Sequence, residues 1–400
     1  MRLASLLASR NGRGGSAPSL RRSRLSQLQL GSKLPSLRNP LPQGERDPGD
    51  RMTDANTDWA DALEGPKKKP MKRATKIALW LFAAFVAWAV LSNASWLAPS
   101  PTGKPKLIAH RGVYHLYDKR AAVGRDTCTA VHAYPPSHEI FENTPESMTW
   151  AVGLGADMVE IDVAPTKDGK MVLFHDWTVD CRTNGKGATR DLTLAELKAL
   201  DIGYGYTADG GKSFPLRGKG VGKMPTVEEG LAALPVHPIL FNFKSKNPRE
   251  ADQLFAIIKA SGRDSKTLGD AFYGHETPVK RMRQLLPANW SFDLKTEALA
   301  CSKDYVTYGW TGIVPASCRN GVLAIPINYQ WAYWGWPDRL IARMDSVGAR
   351  VIVFGPYERG KSNEGLSTPQ QLAKIPASFN GYIWVEDIRA VGPALRPRQR

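Results

Sequence analysis

The chain has 400 residues, of which 42% are apolar and 23% charged, and 54 lysines and arginines against 38 acidic residues give a formal net charge of +16. This composition excludes a wholly disordered chain, a collagen-like repeat and a polytopic membrane protein. Residues 1–73 hold 15 basic and 7 acidic residues, so half of the excess charge lies in this leader. The chain shows neither a basic helix with interleaved aromatic residues nor a zinc-finger spacing, and we therefore expect no nucleic-acid partner.

The N-terminal part of the chain contains a leader and one long apolar segment. Residues 1–73 lack sustained periodicity and are predicted to be disordered. Residues 74–98 are a predicted transmembrane anchor, because the uncharged run from Ile77 to Ala98 is long enough to cross roughly 30 Å of hydrocarbon. Lysines and arginines precede it, which predicts a cytoplasmic N-terminus and an exported, periplasmic or extracellular, body. The alternative is a signal peptide read from Met71, cleaved after Ser92-Asn93-Ala94, which would give a secreted protein.

All four cysteines lie beyond the apolar segment, and none stands in a spacing typical of zinc ligands. An exported body would allow them to form disulfides. Four cysteines permit three pairings. We expect Cys128–Cys181 and Cys301–Cys318, because each pair would join loops that are near one another in the fold predicted below. Four reduced thiols are the alternative.

After a short linker at residues 99–105, residues 106–400 alternate between β-rich and amphipathic helical runs. The predicted strands are Lys106–His110, Met158–Val163, Met171–Phe174, Ile239–Lys244, Asp270–Tyr273, Trp290–Asp293, Val322–Ile327, Arg350–Phe354 and Tyr382–Val385. The predicted helices include Pro145–Leu154, Leu194–Leu200, Val227–Leu234, Arg249–Ala260, Glu276–Leu286, Pro337–Val347 and Pro369–Lys374. This alternation, with roughly eight units in about 300 residues, predicts an α/β fold of the closed (β/α)8 TIM-barrel type. Met171–Phe174 follows its predecessor too closely for a crossover and is predicted to extend or pair with the second strand.

Polar residues of reactive types follow several predicted strands, where a barrel would bring them together on one face. They are His110 and Arg111, Glu142 and Asn143, Glu160 and Asp162, His175 and Asp176, and Asn242 and Lys244.

Each of these residue types suggests a role. Glu160 and Asp162 are two apart on a strand and point to the same side, so their charges call for a cation, and oxygen ligands suit Mg²⁺ or Ca²⁺. His110 and His175 can exchange protons near neutral pH. Arg111 and Lys244 are best explained by a phosphate ligand.

The order and approximate spacing of these motifs resemble the glycerophosphodiester phosphodiesterase family, most closely over residues 106–246. The matching segments are His110-Arg111-Gly112, Glu142-Asn143-Thr144, residues 155–163 (GADMVEIDV), Thr166-Lys167-Asp168-Gly169, His175-Asp176, Arg182-Thr183-Asn184-Gly185 and Met224-Pro225-Thr226.

The resemblance implies a metal-dependent barrel enzyme that cleaves a phosphodiester into an alcohol and a phosphomonoester. His110 and His175 match its acid/base pair, and Glu160 and Asp162 match metal ligands. Arg111 and Lys244 match phosphate contacts, and Glu142, with the adjacent Asn143, lies in the substrate-binding part of the site, near metal or substrate glycerol.

Three features depart from the family pattern. Asn242 stands where the family commonly has a glutamate that binds metal, so this site carries one negative charge fewer. An insertion at about residues 114–140 separates the first strand from Glu142 and carries Cys128. The last strand ends in Glu386-Asp387, and both acids are expected to be structural.

Two other functions compete with hydrolysis of soluble glycerophosphodiesters. The same site on an anchored domain would suit a lysophospholipase D or sphingomyelinase D-like enzyme, with Trp331, Tyr333, Trp334 and Trp336 meeting lipid or, alternatively, packing the core and rim. The third possibility is a catalytically silent phosphoglycerol-binding protein, which Asn242 alone supports. No obligate protein partner is expected.

Overall fold

A computed structural model describes residues 70–121, 127–359 and 364–397. The chain divides into two units, Met1–Pro70 and Met71–Arg400. Of the leader predicted to be disordered, residues 1–69 lie outside the described residues. The second unit opens with helix α1 (Arg73–Asn93), which has no buried residue and is long and apolar enough to cross a membrane.

Nine strands follow among the described residues of the second unit. They are β1 (Lys106–Ala109), β2 (Met158–Pro165), β3 (Met171–Leu173), β4 (Ile239–Phe243), β5 (Ala271–Gly274), β6 (Trp290–Asp293), β7 (Val322–Pro326), β8 (Arg350–Phe354) and β9 (Tyr382–Val385). Eight of them run parallel in the order β6-β5-β4-β2-β1-β9-β8-β7, and β3 pairs antiparallel with β2 as a short hairpin partner. The predicted (β/α)8 barrel is confirmed. Within the described residues no ladder joins β6 to β7, so the barrel is nearly closed.

Helices cover the outside of the strands. They are α2 (Pro145–Gly153), α3 (Leu194–Lys198), α4 (Val227–Ala233), α5 (Arg249–Ala260), α6 (Ser265–Leu268), α7 (Glu276–Leu285), α8 (Leu299–Tyr308), α9 (Asp338–Ser346), α10 (Pro369–Leu372) and α11 (Ile388–Leu395). Local sequence starts several of them: Thr144, Thr193, Thr226 and Thr368 each form a capping box with the third residue of the helix that follows.

Three of these helices are absent from the sequence predictions: the four-residue α6 and the longer helices α8 and α11. Helix α8 follows a π-helical turn, Leu294–Ala298, and the disulfide at Cys301 ties it to the loop before β7. Helix α11 contains Pro393, which argues against a helix when only the sequence is considered. The formation of α8 and α11 therefore depends on tertiary contacts.

The strands alternate between two apolar environments. On β2, the side chains of Val159, Ile161 and Val163 pack outward against the helices. Met158 belongs to a second apolar cluster with residues of the other parallel strands, which fills the barrel interior. Strand periodicity then places Glu160 and Asp162 on the same inward side as Met158, toward the carboxyl end of the barrel, as the sequence predicted.

Both expected disulfides are present. Cys128–Cys181 links the insertion to the segment after His175, and Cys301–Cys318 closes a 17-residue separation beside β7. No cysteine is left free. Part of the insertion, residues 122–126, lies outside the described residues.

Candidate active site

The candidate site lies at the carboxyl ends of the barrel strands. Inward-facing apolar residues at the other end give way here to polar ones: Ile108 is followed two residues later by His110, Leu240 by Asn242, and Trp384 by Glu386. Because side chains on a strand alternate, a step of two keeps each polar residue on the inner side. The site is therefore the polar end of the barrel interior.

His110 is held by a carboxylate from the last strand. Its Nδ1 lies 2.9 Å from Glu386 Oε2, which also accepts from the Tyr114 hydroxyl, and Glu386 Oε1 accepts from the Gly365 amide at 2.8 Å. Arg111 Nε donates to His110 Nε2 over 3.2 Å, so the neutral ring carries its proton on Nδ1. Burial lowers the pKa of His110, but the carboxylates of Glu386 and Glu160 together raise it, and the net pKa is above its usual value.

His175 has the same kind of support from a different carboxylate. Its Nδ1 lies 2.7 Å from Asp176 Oδ1, and Arg182 Nε donates to Asp176 Oδ2 over 2.9 Å. Burial and the cations of Arg111 and Lys244 lower the pKa of His175 to about 4 despite the adjacent carboxylate. In both rings Nδ1 lies against a carboxylate, but at neutral pH the two rings differ in their readiness to hold a proton.

The site also contains two fully buried carboxylates, Glu160 and Asp162, and His110 Nε2 lies 4.0 Å from Glu160 Oε2. Glu160 Oε1 accepts from the Tyr273 hydroxyl over 2.6 Å, and Lys244 Nζ lies 2.9 Å from Asp162 Oδ1. Burial and the neighbouring charge of Asp162 raise the pKa of Glu160. Burial also opposes ionisation of Asp162, but the Lys244 ammonium and other nearby cations hold its pKa well below the usual range. Asp162 is therefore the stronger acid of the pair and Glu160 the weaker one.

Two arginines share the Glu142 carboxylate. Arg111 Nη1 lies 3.0 Å from Glu142 Oε1, and Arg182 Nη1 lies 3.2 Å from Glu142 Oε2. Burial opposes ionisation of Glu142, but these guanidinium groups lower its pKa. Arg111 Nε also lies 3.4 Å from Asp162 Oδ2. Glu142 therefore fixes the predicted phosphate ligand Arg111 rather than pointing freely into the pocket.

Arg111 and Asn143 both adopt the left-handed backbone conformation, each with φ of 58°. Asparagine tolerates this region, whereas for arginine it costs of order 1–3 kcal/mol. The strained turn aims the Arg111 amide at Glu160 Oε2, 3.0 Å away. The Asn143 side chain donates to Asp162 Oδ2 at 3.0 Å and accepts from the Asp162 amide at 2.9 Å. Asn143 thus orients a carboxylate of the site.

Glu160, Asp162 and Asn242 have donor chemistry that fits a hard divalent cation. Asn242 Nδ2 lies 3.1 Å from Glu160 Oε1 and 2.8 Å from Asp162 Oδ1. Rotation of the Asn242 side-chain amide by 180° exchanges its nitrogen and oxygen. The two separations then match the roughly 3.0 Å between adjacent oxygen ligands of an octahedral ion that are bound at about 2.1 Å. Among the described residues no three His, Cys, Asp or Glu side chains cluster closely enough to hold a metal.

The four aromatic residues that the sequence singled out have different environments. Tyr333 is buried and donates to the Ala324 carbonyl, and Trp336 packs on Phe379 with ring centroids 5.4 Å apart. Trp331 and Trp334 are 78% and 42% exposed. Only the last two are placed to meet solvent or lipid.

The structure adds residues that the sequence prediction missed or assigned differently. Glu386, expected to be structural, contacts His110 directly, whereas its neighbour Asp387 does cap α11 by accepting from the Arg389 amide. Arg182, which the resemblance matched without a role, joins both halves of the site. The signal for Glu386 was its position two residues after the inward-facing Trp384.

Paired histidines, buried carboxylates and cations meet at the carboxyl end of a (β/α)8 barrel, an arrangement that can exchange protons and suits the class of anionic ligands. Comparison with known proteins narrows this class. Residues 110–260 match the glycerophosphoryl diester phosphodiesterase family.

The chain is similar to individual members of this family. A glycerophosphodiester phosphodiesterase from Caldanaerobacter subterraneus is 30% identical over 206 residues, covering 48% of this chain and 81% of that protein. One from Bacillus subtilis is 34% identical over 139 residues, covering 34% of this chain and 44% of that protein. The crystal structure of a glycerophosphodiester phosphodiesterase from Agrobacterium tumefaciens is similar with a TM-score of 0.47 and 19% identity, covering 72% of this chain and 99% of that one. The chain belongs to the glycerophosphodiester phosphodiesterase family, and it is an enzyme.

Proposed function

We propose that the protein hydrolyses glycerophosphodiesters to an alcohol and glycerol phosphate, with His110 and His175 as its acid/base pair. The observation that carries this proposal is the matched support of the two rings. Each has a carboxylate on Nδ1, Glu386 or Asp176, so Nε2 is the ring atom directed to the substrate, and on His110 the bound phosphate would take the Arg111 N–H that now donates to that atom. A general acid and a general base on opposite sides of one phosphate are what diester cleavage requires.

The environments of the two histidines support a division of roles. The lowered pKa of His175 keeps it neutral near pH 7, so it can take the proton of the nucleophile. The raised pKa of His110 favours the protonated ring, which can give a proton to the leaving oxygen. The nucleophile is either water or the neighbouring glycerol hydroxyl. Phosphorus NMR separates the two routes, because only the second forms a cyclic phosphate.

The phosphate would be bound by cations that already converge on Asp162. Arg111 offers a planar fork and Lys244 a mobile ammonium. Glu160, Asp162 and Asn242 would hold one divalent cation, Mg²⁺ or Ca²⁺. Such an ion, when bound, polarises the phosphate oxygens as a Lewis acid.

The apolar helix α1 is proposed to anchor the enzyme, with the barrel on the exported side. Two disulfides suit an oxidising compartment. The C-terminal end of the helix is fixed to the barrel: Arg343 donates to the Ser92 carbonyl and to Asn93 Oδ1, each over 2.9 Å. Ala94, the last residue of the alternative signal peptide, is buried. These contacts favour retention of the segment, and N-terminal sequencing of the mature protein tests it.

A lysophospholipase D or sphingomyelinase D-like activity is the second candidate. The exposed Trp331 and Trp334 favour it, since such residues on an anchored enzyme can meet lipid. Turnover of glycerophosphocholine compared with lysophosphatidylcholine, in the same preparation, distinguishes the two substrate classes.

The central experiment is release of glycerol phosphate from a panel of diesters, with Mg²⁺, Ca²⁺ or EDTA present. His110→Ala and His175→Ala should each lower turnover by about 10²–10⁴, the usual contribution of a general acid or base. His237→Ala, outside the site, is the matched control and should keep full activity. Release of no product from any diester under any metal would instead indicate the silent binding protein.

A further inference from the structure

The C-terminal end of the apolar helix α1 is hydrogen-bonded to helix α9, which fixes its position along the barrel axis. Ser95 Oγ accepts from the amide of Asp338, the first residue of α9, at 2.9 Å. Arg343, five residues further along α9, binds the Ser92 carbonyl and Asn93. A helix that follows a barrel strand runs from the carboxyl ends of the strands back toward their amino ends. Tracing the chain backward from Ser95 to Ser92 therefore leads toward the amino end of the barrel.

The body of the helix continues in the same direction. The Trp310 ring lies edge-on to Phe85 and Trp88, with centroid distances of 5.9 and 6.4 Å, and the Trp310 carbonyl accepts from Asn93 Nδ2 at 2.8 Å. Trp310 belongs to the turn after α8, a connection that leads from a helix to the next strand. Such connections lie at the amino end of the barrel, opposite the candidate active site.

The depth of this contact follows from helix geometry. Phe85 and Trp88 precede Asn93 by eight and five residues, which is about 12 and 8 Å along an α-helix. The helix of 21 residues is about as long as the roughly 30 Å of hydrocarbon that it would cross. If Asn93 marks the end of the span, Trp310 lies beside a part of the helix that is within the bilayer. Its exposed neighbours Tyr308 and Ile313 then lie at the edge of the bilayer, because the Trp310 carbonyl itself binds Asn93.

These neighbours have the chemistry of a membrane-inserting surface. Tyr308 is 57% exposed and Ile313 is 71% exposed, although both are large and apolar or amphipathic. Tryptophan and tyrosine are enriched where a protein meets the boundary between lipid and water. We name residues 308–313 the seating turn.

We propose that the seating turn inserts into the lipid leaflet next to the barrel, so that the amino end of the barrel rests on the membrane and the active site faces away from it. This inference rests on the proposed anchor and deepens the proposed function. A site that opens away from the bilayer receives water-soluble glycerophosphodiesters, whereas a lysophospholipid would have to leave the membrane to reach it. Trp331, on the connection that follows β7 at the carboxyl end, would then remain in water.

Site-specific fluorescence in vesicles tests this orientation. Because all four native cysteines are in disulfides, an engineered cysteine would be the only thiol to label. Full-length Ala83→Cys, Ile313→Cys and Trp331→Cys variants would carry an environment-sensitive fluorophore. They would be reconstituted in phosphatidylcholine vesicles with and without nitroxide-labelled acyl chains. Ala83, in the middle of α1, reports on the anchor itself.

We expect the labels at Ala83 and Ile313 to shift to shorter wavelength and lose most of their emission to the acyl nitroxides, while the Trp331 label remains in water. Quenching at Ala83 and Trp331 but not at Ile313 would overturn the orientation and favour the lipid-substrate reading. Quenching at Ala83 alone would keep the anchor and reject insertion of the seating turn. Absence of quenching at Ala83 would reject the anchor, and with it this inference, without bearing on phosphodiester hydrolysis.

Discussion

Replacing Glu386 by glutamine keeps the shape of the side chain but removes the charge that holds His110. The glutamine amide has two possible orientations. If the amide nitrogen faces His110 Nδ1, that nitrogen must accept its hydrogen, so the ring proton moves to Nε2. There the proton clashes with the Arg111 N–H, which in the parent donates to Nε2. If the amide oxygen faces His110, the amide nitrogen faces the Gly365 N–H, and two hydrogen-bond donors then meet. In the parent the Gly365 amide donates to Glu386 Oε1. In either orientation one buried hydrogen bond is lost.

The size of the effect follows from these contacts. A wrong tautomer removes the acid–base function of the ring, which lowers turnover by about 10²–10⁴, or about 2.7–5.5 kcal/mol in activation free energy. An unsatisfied buried donor lowers the free energy of unfolding by about 1–3 kcal/mol. We therefore expect a large loss of turnover with a drop of about 2–12 °C in Tm, because each kcal/mol shifts the melting temperature of a large domain by roughly 2–4 °C.

The assay is steady-state release of glycerol phosphate by Glu386→Gln across a range of pH, together with a melting curve. Removal of the carboxylate should also lower the pKa of His110, so the fraction of enzyme with a protonated His110 should fall at lower pH than in the parent. Asp387→Asn is the matched control, because it also replaces a carboxylate by an amide, at the adjacent residue that caps α11. It should leave turnover unchanged. If Glu386→Gln retains turnover within about threefold of the parent, well short of the loss expected for a general acid, Glu386 does not position His110.

Four further outcomes are expected. EDTA should abolish activity, and Asp162→Asn should raise the Mg²⁺ or Ca²⁺ concentration needed for half-maximal rate; activity that survives exhaustive chelation contradicts the cation. Asn242→Glu should lower that concentration without necessarily raising turnover, whereas a lower Tm with unchanged metal titration would show that Asn242 does not contact the cation. Replacing Cys128 and Cys181 together by serine should lower the free energy of unfolding by about 4 kcal/mol, given their separation of 53 residues, and reduce turnover because neighbouring Thr129 accepts from Arg182; a variant with unchanged kcat would separate the disulfide from the site. Stability should fall as pH drops below about 6.5. Burial lowers the pKa of His115 to about 3 and that of His175 to about 4, so the unfolded chain binds protons that the folded one does not. His115→Gln should therefore reduce the fall in Tm between pH 7.5 and 5, as measured from melting curves.

Several local features of this protein could be read from the sequence. A strand fixes which residues share a side, so the pairing of Glu160 with Asp162 followed from their spacing alone. The alternation of strands and amphipathic helices led to the barrel, and the barrel rule then placed His110, His175 and Lys244 on one face. Both disulfides followed once that arrangement was assumed. These predictions succeeded because periodicity and strand order are local properties of the chain.

The partners within the site were decided only by the tertiary structure. Glu386 is 276 residues from His110, and Arg182 reaches Glu142 from another connection, so neither contact has a short-range signature. The two histidines look alike in the sequence, yet burial and the surrounding charges move their pKa values in opposite directions. Which end of the barrel meets the apolar helix likewise depends on Arg343 and Trp310, which are more than 200 residues from it. Local patterns fix what each residue can do, but long-range packing fixes which charge stands beside it, and in a buried site that neighbour sets its chemistry.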